Sequence, residues 1–595
     1  MRVQTKPQGG KALWIWLFLG IPLFSYFVLK PTFNLSLYGD DWMQLYQMWL
    51  SFDVRRDLSF FSIHSYLGPY APQYFFLGVL RYFFGYGPTA YFVTSAVLRI
   101  LATFSLYFFT WEFTRSQKAS FFSTLLFMVS FAGLESTDWV FNMNTYAGIF
   151  FLNFSLVFYL KMRELKKGLS WDHFFFLIFF TLALGIVPVR MSGAVPFIVM
   201  SDLFLLWVRE KRRADPFFLG RIIPAAAVFL LLYSLGSFGD SSGKEWMVQR
   251  LQERLIDPGL KDFLYYLLGT LGHLSFPTAL NLGRWSELGK SILFTTGLGL
   301  FIAWMAPKKR LASSLTVVIF NLVWLFCVYA IKAKELEMTP AGLFSIYAGG
   351  QVIFLSLLLF SLTQKKFPNL AYMTGVALLW IISFSAVFWL NISCNIEPTT
   401  RYFTMGSVGF AILLASFIGL LLKCALAIEK KFLRYILSAV PMLVLSFWIV
   451  LNLQASRLYL GTLEQNRNKV MAQEIWGDLL KNVPHLDEKG PSVFYFTYKN
   501  FFTINNLLLF GFWPHAGLSY GIKDEHLTPV PVIDYRQLLH LVKDGSPLKE
   551  VHGRPAIPVP ISRVYAFDFR NGKLVNKTDE TRVRVVEDLK KGLIK

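Results

Sequence analysis

Residues 12–42 read ALWIWLFLGIPLFSYFVLKPTFNLSLYGDDW: eighteen residues without a charge, a Lys-Pro break at 30–31, and two adjacent aspartates about ten residues past the apolar run. A run of that length crosses the roughly 30 Å hydrocarbon core of a bilayer as a single helix. It does not read as a cleaved signal peptide, because no small-residue cleavage site follows Lys30-Pro31 and further spans follow it. The acids therefore stand where a membrane helix meets the water on its far side.

Working outward, comparable apolar runs fall near 90–111, 119–133, 145–160, 174–189, 194–208, 222–238, 291–306, 312–331, 343–363, 370–390, 404–422 and 435–452. With the first, they make about thirteen candidate spans of a polytopic α-helical membrane protein. Composition agrees. Hydrophobic residues make up 54% and charged residues 16%, against roughly 25% charged in a soluble chain. Mean hydropathy is +0.46. Aromatics reach 17%, which suits lipid-facing helices with interfacial belts. Cys394 and Cys424 flank one apolar run and so lie on opposite faces, where no disulfide can join them.

The net charge of +21 invites a nucleic-acid partner. Its distribution excludes one. With the N-terminus cytoplasmic, the loops on that side carry 23 basic and six acidic residues, whereas the rest of the chain before residue 453 carries 15 basic and 16 acidic. The surplus is a topogenic signal spread over short loops, not a continuous groove. It implies an integral plasma (inner) membrane protein with its C-terminal segment periplasmic or extracellular.

The expected organisation is a transmembrane domain, 1–452, with long outer loops at 30–89 and 239–290, and an outer-face α/β domain, 453–595. In the latter a polar helix is expected around 460–482, a strand at 492–498, and a hairpin in which Asn571-Gly572 joins 564–570 to 573–575. Segments 41–60 and 244–270 read as amphipathic helices lying in the membrane interface, suited to a substrate arriving laterally from lipid, or simply packing on span ends.

Asp40 and Asp41, so close to the membrane, should have at least one raised pKa, as a general base for an acceptor hydroxyl requires. They equally suit the cap and first turn of a helix. A second outer loop, Gly133 to Tyr146, carries Glu135 and Asp138 at helical i, i+3 spacing. Arg401 opens a late span in Thr400-Arg401-Tyr402, at headgroup level, where it can pair with a phosphate or serve as an interfacial anchor. Arg190 interrupts two apolar runs in the same outer plane. Arg99, about nine residues into the second span, is an intramembrane cation that is either functional or paired with a neighbouring helix.

This ensemble resembles the GT-C superfamily of polytopic glycosyltransferases, which includes protein O-mannosyltransferases, aminoarabinose transferases and arabinofuranosyltransferases. The resemblance covers residues 12–452 as architecture, and its motif-level match is confined to Asp40-Asp41 and, more loosely, Thr400-Arg401-Tyr402. Family members commonly carry Asp-Glu at the first site with a tyrosine soon after; here the second acid is Asp41 and Tyr46 falls outside the usual interval, so no subfamily follows. The resemblance implies a fold of GT-C type and inverting transfer of a sugar from a polyprenyl-phosphate donor to a lipid, glycan or protein acceptor on the outer face. It also implies that Asp40 or Asp41 acts as base and that Arg401, with Arg190 or Arg284, stabilises the leaving phosphate. From location alone, Glu135 or Asp138 would orient the acceptor or hold a metal; a divalent cation is neither required nor excluded.

Two other readings stay open. A lipid-linked glycan polymerase or ligase would use the Arg- and His-bearing loop 239–290, with Arg250, Arg254, His273 and Arg284. A transporter or flippase of lipid-linked sugars would use midplane charges such as Arg99. Neither a GxxxxGK[ST] loop nor a GxGxxG after a strand is present, which disfavours a soluble nucleotide-sugar donor.

Overall fold

A computed structural model describes residues 14–56, 71–165, 170–211, 218–235, 249, 252–254, 256, 259–277, 280, 285–305, 310–334, 339–391, 400–486, 490–548, 555–570 and 572–593. Within them, each of the thirteen expected apolar runs falls mainly in helix, although the run 119–133 leaves its helix at Val129 and 174–189 is broken at Val187. Nine helices among the described residues are long and apolar enough to cross a membrane. Trp171–Ile186, Phe218–Ser234 and Gly289–Trp304 are shorter apolar helices. The remaining one, Gln117–Val129, has 13 residues and so runs only about 20 Å.

Burial separates the helices into a packed interior and an apolar rim. Thr404–Leu426 is buried along most of its length, with its central residues in the main apolar core. Arg310–Lys334 instead exposes Leu311, Leu322, Phe326 and Tyr329. A continuous apolar face of this kind cannot rest against water, and the protein is an integral membrane protein.

Leu260–Ser275, from the segment expected to lie in the interface, packs into the bundle instead, burying Tyr266, Leu267, Leu271 and Leu274. Glycines explain the difference. A Cβ on Gly272 would stand 2.0 Å from the Ser345 carbonyl oxygen, and one on Gly349 would stand 1.9 Å from that of Leu268. The two backbones touch where small residues permit it. The other such segment folds as helix Asp40–Trp49 and a π-helical turn, Leu50–Val54, and buries Leu45, Tyr46, Met48 and Leu50 against protein. Its last residues lie outside the described ones.

The last membrane helix, Lys431–Asn466, has 36 residues, about 54 Å, and runs through the composition change at 452/453. The single polar helix expected around 460–482 is two, parted at Arg467, because Asn468 caps a new helix, Lys469–Asn482, by accepting from the Val470 amide at 2.9 Å. Beyond it lies a small four-stranded sheet: β1 (Val493–Tyr498), β2 (Val530–Val532), β3 (Val564–Arg570) and β4 (Lys573–Asn576), in the order β2-β1-β3-β4. β1 runs parallel to β2 and β3, and β3 and β4 form the expected hairpin, with Gly572 at φ +77°. Alternate residues feed two apolar layers. Phe494, Phe496 and Phe567 pack under Trp476 and Phe512, while Val493, Val530 and Val564 pack under Leu538 and Val585. Helix Phe512–Tyr520, from the first layer, rests on helix Asp40–Trp49.

Candidate active site

The acid helix starts at a forced turn. Gly39 has φ +54°, and a Cβ there would sit 1.8 Å from the Phe510 ring, while Gly511, at φ +87°, rests on the Gly39 backbone. Only glycine meets both demands. Asp40 and Asp41 then occupy the first turn of helix Asp40–Trp49, where the dipole favours them.

The two aspartates differ. Asp41 is fully buried; one carboxylate oxygen accepts from the Phe141 amide at 2.7 Å and the other from the Tyr38 amide at 3.1 Å. Burial pushes its pKa up to about 7, against the lowering pull of those amides and Arg467. Asp41 thus ties the start of its own helix to the second acidic loop. Asp40 is only partly buried and its pKa is also raised by burial, with Arg401 opposing. It is the reachable carboxylate of the pair.

The loop that Asp41 holds carries two of the other expected site residues. Glu135 and Asp138 form one helical turn, Glu135–Asp138, after Gly133, which at φ +88° lies against Thr404. Glu135 accepts from the Arg401 guanidinium at 2.6 Å and from the Arg401 amide at 3.1 Å. Arg401 lies over the Trp139 ring at 4.3 Å and donates to the Tyr402 hydroxyl at 3.1 Å. Asp138 is buried, and burial raises its pKa to about 7 while Arg467, 3.9 Å away, opposes the rise. Arg190 donates to Thr145 at 2.6 Å and to the Asn142 side chain. Asp41, Arg190 and Arg401 therefore contact the loop from Gly133 to Thr145, which itself carries Glu135 and Asp138, with Asp40 beside Asp41 in the field of Arg401. Arg284 lies outside the described residues.

Arg467 is the residue the sequence did not offer. It is fully buried between the acids, donates to the Asp138 carbonyl, and sits 5.1 Å from the Tyr38 ring. Its lone position between Asn466 and Asn468, where a helix restarts, is the only local sign. Trp139 and Phe510 close an aromatic wall with Tyr38, at ring distances of 5.4 Å and 4.9 Å from it. His515 stacks on Trp42 at 3.6 Å, joining the sheet domain to the acid helix.

Arg99 has a structural task. It donates to the Met128 and Ser130 carbonyls at 3.1 Å and 2.7 Å and to Thr137 at 3.1 Å. These contacts satisfy the open end of helix Gln117–Val129 and brace the acidic loop. Of the residues favouring a polymerase, Arg254 pairs with Asp262 at 3.1 Å and His273 is buried against Phe403, while Arg250 lies outside the described residues. Among the described residues no three His, Cys, Asp or Glu side chains converge as a metal would need.

No protein-family model and no curated protein matches the chain. Among solved structures it is similar to the oligosaccharyltransferase AglB from Archaeoglobus fulgidus, in complex with an inhibitory peptide and a dolichol-phosphate, at 11% identity over 93% of this chain and 70% of that one, with a TM-score of 0.42. It is also similar to ArnT from Cupriavidus metallidurans bound to undecaprenyl phosphate, at 14% identity over 93% of each chain, with a TM-score of 0.38. Both belong to the GT-C superfamily.

Proposed function

We propose that the protein is an inverting GT-C glycosyltransferase that moves a sugar from a polyprenyl-phosphate donor to an acceptor hydroxyl on a lipid, glycan or protein. The observation that carries this reading is the division of labour between the aspartates: Asp41 buried and locked by two amides, Asp40 reachable, raised in pKa and facing the field of Arg401. Asp40 takes the acceptor proton as the acceptor oxygen bonds to the anomeric carbon. The bond from that carbon to the phosphate oxygen breaks on the opposite face, and Arg401, held by Glu135 and Trp139, meets the growing phosphate charge. Arg190 and Arg284 are second candidates for that phosphate. Glu135 and Asp138 act chiefly by holding Arg401 and Arg467.

An apolar cavity of about 110 Å³, lined by Phe294, Phe410, Phe417, Phe447 and Trp448 among others, has room for a short piece of the donor's tail. Phe410 lies nine residues along its helix from Arg401, about 13 Å deeper. The positive-inside pattern puts the acids and the segment from residue 453 on the periplasmic or extracellular face. That domain would cover the site and receive the acceptor.

The test is mass spectrometry of the cell-surface glycans with and without the gene, joined to reconstitution of the purified protein in nanodiscs with polyprenyl-phosphate sugars extracted from the native membrane, read by transfer to an added acceptor. A sugar lost on deletion should return with the wild type and not with Asp40→Asn. Complementation by Asp40→Asn, or transfer from a nucleotide sugar without the lipid, sinks the proposal. Arg401→Ala should chiefly weaken use of the lipid donor.

A further inference from the structure

A second cavity, of about 670 Å³, opens at the end of the bundle opposite the acids, between the start of helix Gln117–Val129 and the far ends of Thr404–Leu426 and Lys431–Asn466. Lys423 lies 19 residues beyond Thr404, about 28 Å along the helix, so this cavity and the acid site are separated by about one hydrocarbon core.

Its wall has two characters. Lys118 and Lys423 line one part, together with Ser116 and Gln117 at a helix start. Among the described residues neither lysine has an acidic partner, although Lys423 lies 5.5 Å from the Phe367 ring. Ser438 lines the same cavity, and its hydroxyl oxygen is buried without a hydrogen-bond partner. The rest is apolar and reaches the lipid-facing surface, where Leu426 and Met442 are exposed.

We propose that this cavity binds an anionic glycerophospholipid, with the phosphate on Lys118, Lys423 and the Ser438 hydroxyl and an acyl chain along Leu426 and Met442. Unpaired cations beside an apolar wall open to lipid match a ligand that carries both a negative head and a hydrocarbon tail. A free phosphate or a soluble nucleotide leaves the apolar part unused, and a zwitterionic lipid brings no net charge to the lysines. The three helices that the lipid would join bear the acidic loop or Arg401 at or near their other ends, or run on to Arg467. Occupancy would therefore steady the frame of the opposite site.

The experiment is native mass spectrometry of the detergent-solubilised full chain titrated with phosphatidylglycerol, phosphatidylethanolamine or glycerol 3-phosphate. One phosphatidylglycerol per chain should be retained, and the double variant Lys118→Gln/Lys423→Gln should weaken it about tenfold or more. The Lys118→Arg/Lys423→Arg variant should restore it, and Ser438→Leu should block it by filling the cavity. Lys430→Gln/Lys431→Gln, which removes two nearby cations outside the cavity, should leave it unchanged. Equal retention of phosphatidylethanolamine, equal competition by glycerol 3-phosphate, or equal loss in the Lys430/Lys431 variant overturns the proposal. The readout does not depend on transfer activity.

Discussion

Buried charge occurs at both ends of the bundle, balanced in opposite ways. At the basic end, Asp202 is fully buried between two arginines, with Arg221 at 2.8 Å and Arg163 at 3.0 Å, and Arg163 also reaches Glu210 at 3.0 Å. At the other end two buried carboxylates, Asp41 and Asp138, share one guanidinium, Arg467, which is 3.9 Å from Asp138. The first cluster pins helices Asn144–Leu165, Ala194–Phe204 and Phe218–Ser234 with every charge answered. The second leaves an excess of acid whose protons are held more tightly than an ordinary carboxyl's, with Asp40 at its reachable edge. Surplus charge of one sign in a buried place costs stability, and it is characteristic of sites that do chemistry.

The largest effect expected is on Asp40. Asp40→Asn should lower transfer about 10²- to 10⁴-fold, the usual weight of a general base, while the melting temperature in detergent stays at the wild-type value. Asp41→Asn should do the reverse, because an amide NH₂ cannot accept from both the Phe141 and Tyr38 amides, a loss of about 1–3 kcal/mol in stability. If Asp40→Asn lowers stability instead and leaves transfer intact, the two roles are exchanged.

The two clusters should also break differently. Asp202→Ala removes the carboxylate shared by two arginines that cannot give up their protons, leaving Arg163 with Glu210, so a loss of about 3–5 kcal/mol is expected, equal at pH 5.5 and pH 8. Arg467→Met strands two carboxylates that can accept protons. Its loss should be comparable at pH 8 and much smaller at pH 5.5. Thermal melts of both variants across that range decide the matter, and a pH-independent Arg467→Met would mean that the acids do not titrate as a pair around it.

How much of this was legible in sequence follows from range. The apolar runs show themselves because a bilayer imposes a length on each one. Asn571-Gly572 marks its hairpin because only certain residues turn so tightly. Asp40 and Asp41 stand out by adjacency at the exit of a span. Arg467 does not, since its partners lie far off in sequence, at Tyr38, Asp41 and Asp138. The same holds for Gly272 and Gly349, whose small size matters only across two helices. Arg99 was visible as an anomaly, yet its task, satisfying the open end of a short helix, needed the break at Ser130 to be known.

A slope with pH should set the acid site apart in the wild type as well. Asp41 and Asp138 have folded pKa values raised to about 7, against about 3.9 unfolded. Each therefore contributes stability that is complete below about pH 4 and is lost as pH rises towards 7, by about 1.4 kcal/mol per unit in between. His515 works the other way. Burial lowers its pKa to about 3, so its contribution is present above about pH 6.5 and is lost as pH falls. Between pH 5 and 6.5 the opposed slopes partly cancel. With two acid slopes against one histidine slope, wild-type stability should fall by about 1.4 kcal/mol per unit across that range; Asp138→Asn should leave one acid against the histidine and a nearly flat profile, and an unchanged profile would place the titrating acid elsewhere.

The smallest effect tests what couples the two ends of this chain at the acid site. Trp42 and His515 stack with their planes 6° apart, and the imidazole, kept neutral by burial, adds packing and no charge. Such a pair contributes about 0.5–1.5 kcal/mol beyond the area it buries. A double-mutant cycle of Trp42→Leu and His515→Leu, melted at pH 7.5, should recover a coupling of that size. The same cycle at pH 8.5 should give the same coupling, because the ring carries no charge at either pH. A coupling near zero would leave the domain seated by the Tyr46 hydroxyl, which donates to the Ile522 carbonyl at 2.7 Å, and by the Gly39 and Gly511 backbones. A coupling that grows as pH falls would mean that the imidazole takes up a proton in place. The histidine would then belong with the acids as a titrating group, rather than with the aromatic packing that holds them still.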